Sequence, residues 1–210
     1  MDYKHTLNLP QTDYPMRGNL PTREPEILAR WRAEGLYQRL LAATADGTPY
    51  VLHDGPPYAN GNVHLGTALN KIVKDVIVKR QFMAGRHAPY VPGWDCHGMP
   101  IEHQVLRDLG TEARTLSRLE IRRRCRAFAE KYLDVQREQF QRLGVLGDWQ
   151  NPYLTMTPSY EAAIVRMFRK LAERGFIYRG LRPVHWCPTC ATALAEVEVE
   201  YAEHRSSSIY

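Results

Sequence analysis

A chain of 210 residues with 44% hydrophobic and 24% charged side chains can bury a core. That excludes global disorder and leaves room for one large domain or somewhat more. The net charge of +5 is compatible with a nucleotide or nucleic-acid partner and diagnostic of neither. No apolar run approaches the ~18 residues that span a membrane, and the polar start MDYKHTLNLP lacks the apolar stretch of a secretory signal. The four cysteines, Cys96, Cys125, Cys187 and Cys190, therefore read as reduced thiols or metal ligands in a cytoplasmic protein.

Residues 1 to 24 hold four prolines or glycines and little periodicity, which predicts an extended arm. A short helix is expected around Glu24 to Leu41, with Ile27, Leu28 and Trp31 on one face. Pro49 to His53 (PYVLH) is a short apolar run before a Gly-Pro-Pro break and suits a buried strand. From His64, apolar residues fall at Leu65, Ala68, Leu69, Ile72, Val73, Val76 and Ile77, which is helical spacing, with a stop before Gly85. Ala88 to Asp95 (APYVPGWD) predicts a second short strand ending in a turn.

Ser117 and Glu120 have capping-box spacing and open a helix carrying Cys125, Phe128, Ala129, Tyr132, Leu133 and Phe140 on one side, with Gly144 as its stop. Thr157-Pro158 starts another helix, with Tyr160, Ile164, Met167, Phe168 and Leu171 as its apolar stripe and Gly175 at its end. Beyond Phe176, FIYRG and RPVHW are strand-like. Ala193 to Tyr201 (ALAEVEVEY) alternates apolar and acidic residues, the pattern of a half-exposed strand.

The densest stretch is HDGPPYANGNVHLGTALNK, His53 to Lys71. Strand, glycine-rich turn, helix and strand begin a doubly wound nucleotide-binding sheet, whose ligands sit at the carboxyl ends of the strands. Gly55, Gly61 and Gly66 let backbone approach a ligand, and a helix N-terminus offers free N–H groups to phosphate. His64 lies in that first turn and can donate to a phosphate oxygen. The generic GxGxxG and GxxxxGK(S/T) fingerprints are absent. On pattern alone, glycine- and proline-rich loops of this kind are more often just turns than phosphate sites.

The particular residues carry more. PPYANGNVHLGT, then GWDCHGMPIE some thirty residues on, then WCPTC resembles the N-terminal part of the isoleucyl-tRNA synthetases, a class I family, and the match runs the whole length. TLNLPQTDYPMRGNLPTREPEIL and RLGVLGDWQNPYLTM (Arg142 to Met156) are also typical of that family. His64-Leu65-Gly66-Thr67 stands at the HIGH motif, with threonine where its second histidine is usual. The resemblance implies an α/β fold: the first half of a Rossmann-like catalytic domain over residues 49–180, after an arm and helix over 1–48. Residues 181–210 would hold a CxxC zinc-ribbon-like stem and the start of an editing insertion.

The implied reaction is ATP-dependent activation of L-isoleucine to isoleucyl-adenylate, with Mg2+ accompanying ATP, and transfer to tRNA(Ile) by a monomeric enzyme. The resemblance gives His64 and Thr67 catalytic roles and places Gly61, His64, Gly66 and Thr67 on ATP. It places Gly55, Pro56 and Asp95 on isoleucine, Asp95 holding the ammonium. Asp95 read without it is a turn-capping residue, Pro56 a rigid turn, and His97 has no assigned role. Arg118, Arg122, Arg123, Arg124 and Arg126 read as a solvated helix face rather than an RNA contact. Cys96 and Cys125 read as small core residues. Cys187 and Cys190 supply two of the four ligands that Zn2+ takes, with His185 and His204 unpersuasive as the others and a redox CxxC as the alternative. The second ATP motif of the family, KMSKS, is absent, so an N-terminal fragment is expected. The alternative is a stand-alone, non-catalytic adenylate- or RNA-binding module.

Overall fold

The computed structural model of the chain describes residues 3–8, 12–13, 17–203, 205 and 207. After a 3-10 turn at Tyr3–Thr6, helix α1 spans Leu20–Ala33 and α2 spans Leu36–Ala43. The predicted arm thus ends earlier than expected, because Pro21 sits in the first turn of α1, where its missing N–H costs nothing. The single helix expected over Glu24 to Leu41 is two, broken at Gly35, whose φ of 59° is left-handed.

The sheet is built from three parallel segments. Tyr50 N–H donates to the His87 carbonyl at 2.8 Å and His87 N–H to the Thr48 carbonyl at 3.1 Å. Further along, Asp95 N–H reaches the Pro57 carbonyl at 2.9 Å and Ala59 N–H the Asp95 carbonyl at 3.1 Å. On the other side, β1 (Gly93–Trp94) pairs in parallel with β2 (Tyr153–Leu154), Gly93 opposite Tyr153. The middle segment is therefore flanked by the first and the third, and each crossover is helical. Regular ladder is confined to two residues because Pro49, Pro56, Pro57, Pro89 and Pro92 have no N–H to give.

Helix α3, Leu65–Met83, is the first crossover and stops before Gly85 (φ 75°), as expected. Its orientation is not the expected one. The buried side chains are Lys71, Asp75, Val78 and Phe82, whereas Leu65, Leu69 and Val76 are exposed. The second crossover contains a helix that the sequence reading missed, α4 (Met99–Leu109), which follows Gly98 (φ 89°) and buries Ile101 and Val105. Then comes α5, Arg118–Arg142, whose N-cap Ser117 Oγ accepts from Glu120 N–H at 3.2 Å. It turns Ala129, Leu133, Gln136 and Phe140 inward, onto a core that includes Trp94 and Met156. Cys96 belongs to this core and Cys125 packs against it; burial raises both thiol pKa values.

Helix α6, Pro158–Glu173, starts at Thr157 and is followed by Gly175 (φ 74°), as expected, but its stripe of Ile164, Met167, Phe168 and Leu171 is exposed. Past it, β3 (Trp186–Cys187) pairs antiparallel with β4 (Thr192–Ala193). The strand expected over Ala193 to Tyr201 does not continue. Glu198 accepts from Ala195 N–H at 2.8 Å and closes a 3-10 turn at Glu196–Glu198, with Val197 exposed. An alternating strand needs a neighbour to pair with, and none of the described residues supplies one. FIYRG likewise stays outside the strands.

Candidate nucleotide and amino-acid site

Asp54, the second residue of HDGPP, is fully buried and anchors the start of the loop. Its carboxylate pairs with buried Lys71 from α3, accepts from Lys74 Nζ at 2.8 Å and accepts from Gly93 N–H at 3.0 Å. Its carbonyl accepts from the Tyr153 hydroxyl of β2. Burial pushes the Asp54 carboxyl up, but the two ammonium groups and the Gly93 N–H outweigh it and hold the carboxyl below its usual range. Lys71 also donates to the Tyr90 hydroxyl at 3.2 Å. Sequence reasoning gave Lys71 no role. The available signal was an acid and a base, 17 residues apart, on either side of one loop.

The other end of the loop is His64, the N-cap of α3. Its Nδ1 accepts from Gly66 N–H at 3.1 Å and from Thr67 N–H at 3.3 Å, and Nε2 lies 2.9 Å from Thr67 Oγ1. The N–H groups expected to be free for phosphate are thus occupied by His64 itself. Because Nδ1 accepts, the proton of the neutral ring is on Nε2 and is donated to Thr67 Oγ1. The Thr67 hydroxyl hydrogen is then left to point outward. Gly66 gives this fold-back room, since a Cβ there would lie 3.1 Å from His64 Cε1.

Between these ends α5 grips the loop. Gln136 Oε1 accepts from Trp94 Nε1 at 2.9 Å, and its Nε2 donates to the carbonyls of Tyr58 (3.0 Å) and Gly61 (2.8 Å). One turn on, Gln139 accepts from Val63 N–H at 2.8 Å and donates to Asn62 Oδ1 at 2.8 Å. Neither glutamine was anticipated; the clue was an amide in the apolar stripe that ends at Phe140.

Asp95 follows β1 and is half-buried. Its Oδ1 accepts from His97 N–H and from Thr155 Oγ1, each at 3.3 Å, while Oδ2 takes no hydrogen bond from the described residues. His97 Nε2 lies 3.2 Å from the Thr155 carbonyl and 3.4 Å from Glu161. Gly55, Pro56 and Asp95 come from adjoining parallel segments, with Lys74 Nζ 3.5 Å from the Gly55 carbonyl. The ring of Tyr153 stacks on His53 and on Tyr160, with centroids 5.7 and 6.0 Å away. It crosses so close to Gly93 that a Cβ there would enter the ring. Burial, Asp54, Tyr160 and Asp95 together push the Tyr153 phenol up to about 12.

Cys187 and Cys190 lie together at the β3–β4 turn, where Cys190 N–H donates to Cys187 Sγ at 3.4 Å and lowers the pKa of that thiol. His185 engages the hairpin through its carbonyl, and His204 lies outside the described residues. Among the described residues no third ligand joins the two thiols, which supply two of the four donors that a structural zinc takes. On α5, Arg123, Arg124 and Arg126 form exposed ion pairs with Glu120, Glu112 and Glu130, worth little individually.

Residues 26–209 match the family model described as tRNA synthetases class I (I, L, M and V), and the chain belongs to that family. Within it, the chain is 60% identical over all 210 residues to the isoleucine–tRNA ligase of Desulfitobacterium hafniense and 58% identical to that of Carboxydothermus hydrogenoformans. It spans 23% of the length of each of these relatives. Among solved structures, a LeuRS–tRNA–LeuAMS ternary complex from Agrobacterium radiobacter superposes with a TM-score of 0.67. That likeness, at 24% identity, covers 86% of this chain and 21% of that one and shows the fold. The mixed helix-and-strand fold is thereby that of the class I tRNA synthetases.

Proposed function

We propose that this chain supplies the nucleotide- and amino-acid-binding half-site of an isoleucine–tRNA ligase, which forms isoleucyl-adenylate from L-isoleucine and ATP and passes the acyl group to tRNA(Ile). The observation that carries this reading is the 60% identity to an isoleucine–tRNA ligase along the whole chain, site loops included. The isoleucine carboxylate oxygen attacks the α-phosphorus of ATP, a P–O bond forms, and the bond to the leaving pyrophosphate breaks. No protein nucleophile is needed, so the chain's work is positioning and charge stabilisation.

His64 caps the N-terminus of α3 in a fixed tautomer and donates its Nε2–H in a hydrogen bond to Thr67 Oγ1, leaving the Thr67 hydroxyl to donate to a phosphate oxygen. Threonine therefore extends the histidine rather than replacing a second imidazole. Gly61 and Gly66 keep this approach clear of side chains. Asp95 offers its unpaired Oδ2 to the substrate ammonium, with Oδ1 held by Thr155 and His97. Gly55 and Pro56 form the adjoining wall, held rigid from below by Asp54. Magnesium would arrive with the triphosphate and neutralise its charge; the residues above hold no metal themselves. The stem and editing-insertion assignment of residues 181–210 belongs to the same reading and is supported by the β3–β4 hairpin.

The test is isoleucine-dependent exchange of pyrophosphate into ATP by the complete product of the gene that encodes this chain. Activation of valine or leucine far above isoleucine overturns the assignment.

A further inference from the structure

We propose that Gln136 is the positioning residue for the nucleotide loop, acting through His64. The proposal rests on the reading of this loop as the ATP-binding element. Gln136 occupies a core position: Ala129, Leu133, Gln136 and Phe140 form one inward stripe of α5, and its side chain is 3% exposed. An amide in such a stripe is unfavourable unless every polar atom finds a partner, and a leucine would fill the space without that demand. What the amide does there is specific. Both carbonyls it receives, those of Tyr58 and Gly61, belong to the loop leading to His64, and its oxygen holds Trp94 next to Asp95.

That loop cannot hold itself. Its two prolines lack N–H groups, and past Asp54 the backbone pairing with the sheet among the described residues is that of Tyr58 with Asp95. Beyond Ala59 the hydrogen bonds that tie the loop before His64, among the described residues, run to α5: Gly61 to Gln136, then Asn62 and Val63 to Gln139. Helix α5 is 25 residues long and packed along its inward face, so it is a rigid support. One side chain thereby sets the spacing between the segment that carries His64 and the segment that carries Asp95. Substrate atoms held by these two residues must meet in line, and small misplacements of either are expensive in rate.

The informative variant is Gln136→Glu. It keeps the shape and the acceptor for Trp94 but replaces the donor to the two loop carbonyls with a carboxylate oxygen. Amide hydrogen exchange on the 210-residue chain is the first readout. Exchange at Ala59, Gly66 and Thr67 is expected to accelerate tenfold or more, with Ala129 and Leu133 in α5 within twofold of the parent. Unchanged protection at Ala59, Gly66 and Thr67 overturns the proposal. Should Gln136→Glu fail to fold, Gln139→Leu, at a half-exposed position, is expected to give the same acceleration at Val63 without disturbing the core.

In the pyrophosphate-exchange assay on the complete gene product, Gln136→Glu is expected to raise KM for ATP tenfold or more and leave KM for isoleucine within threefold. Combined with His64→Ala it should lose no more than His64→Ala alone. A loss of activity accompanied by equally accelerated exchange at Ala129 and Leu133 marks a purely structural glutamine and refutes the positioning role. Absence of isoleucine-dependent exchange in the unmodified protein instead sinks the functional reading, while the hydrogen-exchange result still decides the clamp.

Discussion

Asp54 and Lys71 meet as a buried ion pair beneath the HDGPP loop, with side chains 0% and 1% exposed. Lys74 and the Gly93 N–H complete the set around the carboxylate. The arrangement ties the first segment of the sheet, the first crossover helix and β1 to one side chain.

Removing one partner of a buried pair leaves the other charge uncompensated and costs about 3–5 kcal/mol. Lys71→Met is expected at the lower end of that range, because Lys74 remains on Asp54; urea unfolding of the chain measures it. Because the Asp54 carboxyl is held below its usual value, its contribution is complete above about pH 4 and is lost as pH falls through the depressed value. Asp54→Asn should therefore lower stability at neutral pH and flatten the acid limb of the stability profile. An acid limb of unchanged steepness would show that other carboxylates govern it.

Gly93 lies against the face of the Tyr153 ring. Gly93→Ala should cost about 3 kcal/mol or more through overpacking, a loss visible as a lowered thermal midpoint. Adding Tyr153→Leu should recover part of it by removing the ring. If the double variant is no more stable than Gly93→Ala alone, the steric explanation fails.

His64 caps α3, and two substitutions separate that structural task from the chemical one proposed for it. His64→Ala deletes the N-cap of α3 and should cost ~1 kcal/mol of stability together with exchange activity. His64→Asn can cap the helix with its side-chain oxygen, so stability should return while activity stays low. Full activity in the asparagine variant would mean that the imidazole is needed only as a cap.

Asp95→Ala should raise KM for isoleucine by roughly 10- to 150-fold, the equivalent of ~1.5–3 kcal/mol for a charge-assisted hydrogen bond, with a small effect on KM for ATP. Equal effects on the two substrates would assign Asp95 to the turn with His97 and Thr155.

Local rules in the sequence determined several elements. Ser117 three residues before Glu120, Thr157 before Pro158, and the glycines at 85, 144 and 175 mark helix ends through the backbone's own stereochemistry, and α3, α5 and α6 start and stop accordingly. His64 before Leu65-Gly66-Thr67 was legible as the head of a helix for the same reason. Tertiary structure decided what faces what. Spacing showed that Leu65, Leu69, Ile72 and Val76 share one face of α3, but it is Asp54, from a preceding loop, that draws Lys71 inward and turns that face outward. Gln136 looked like a flaw in an apolar stripe until the Tyr58 and Gly61 carbonyls were placed beside it. The alternation of residues 193–201 implied a strand, yet pairing is a property of two segments, and without a neighbour the chain closed a 3-10 turn on Glu198. Hydrogen bonds and charges buried across dozens of residues of sequence have no local period, so only the folded chain shows where they meet.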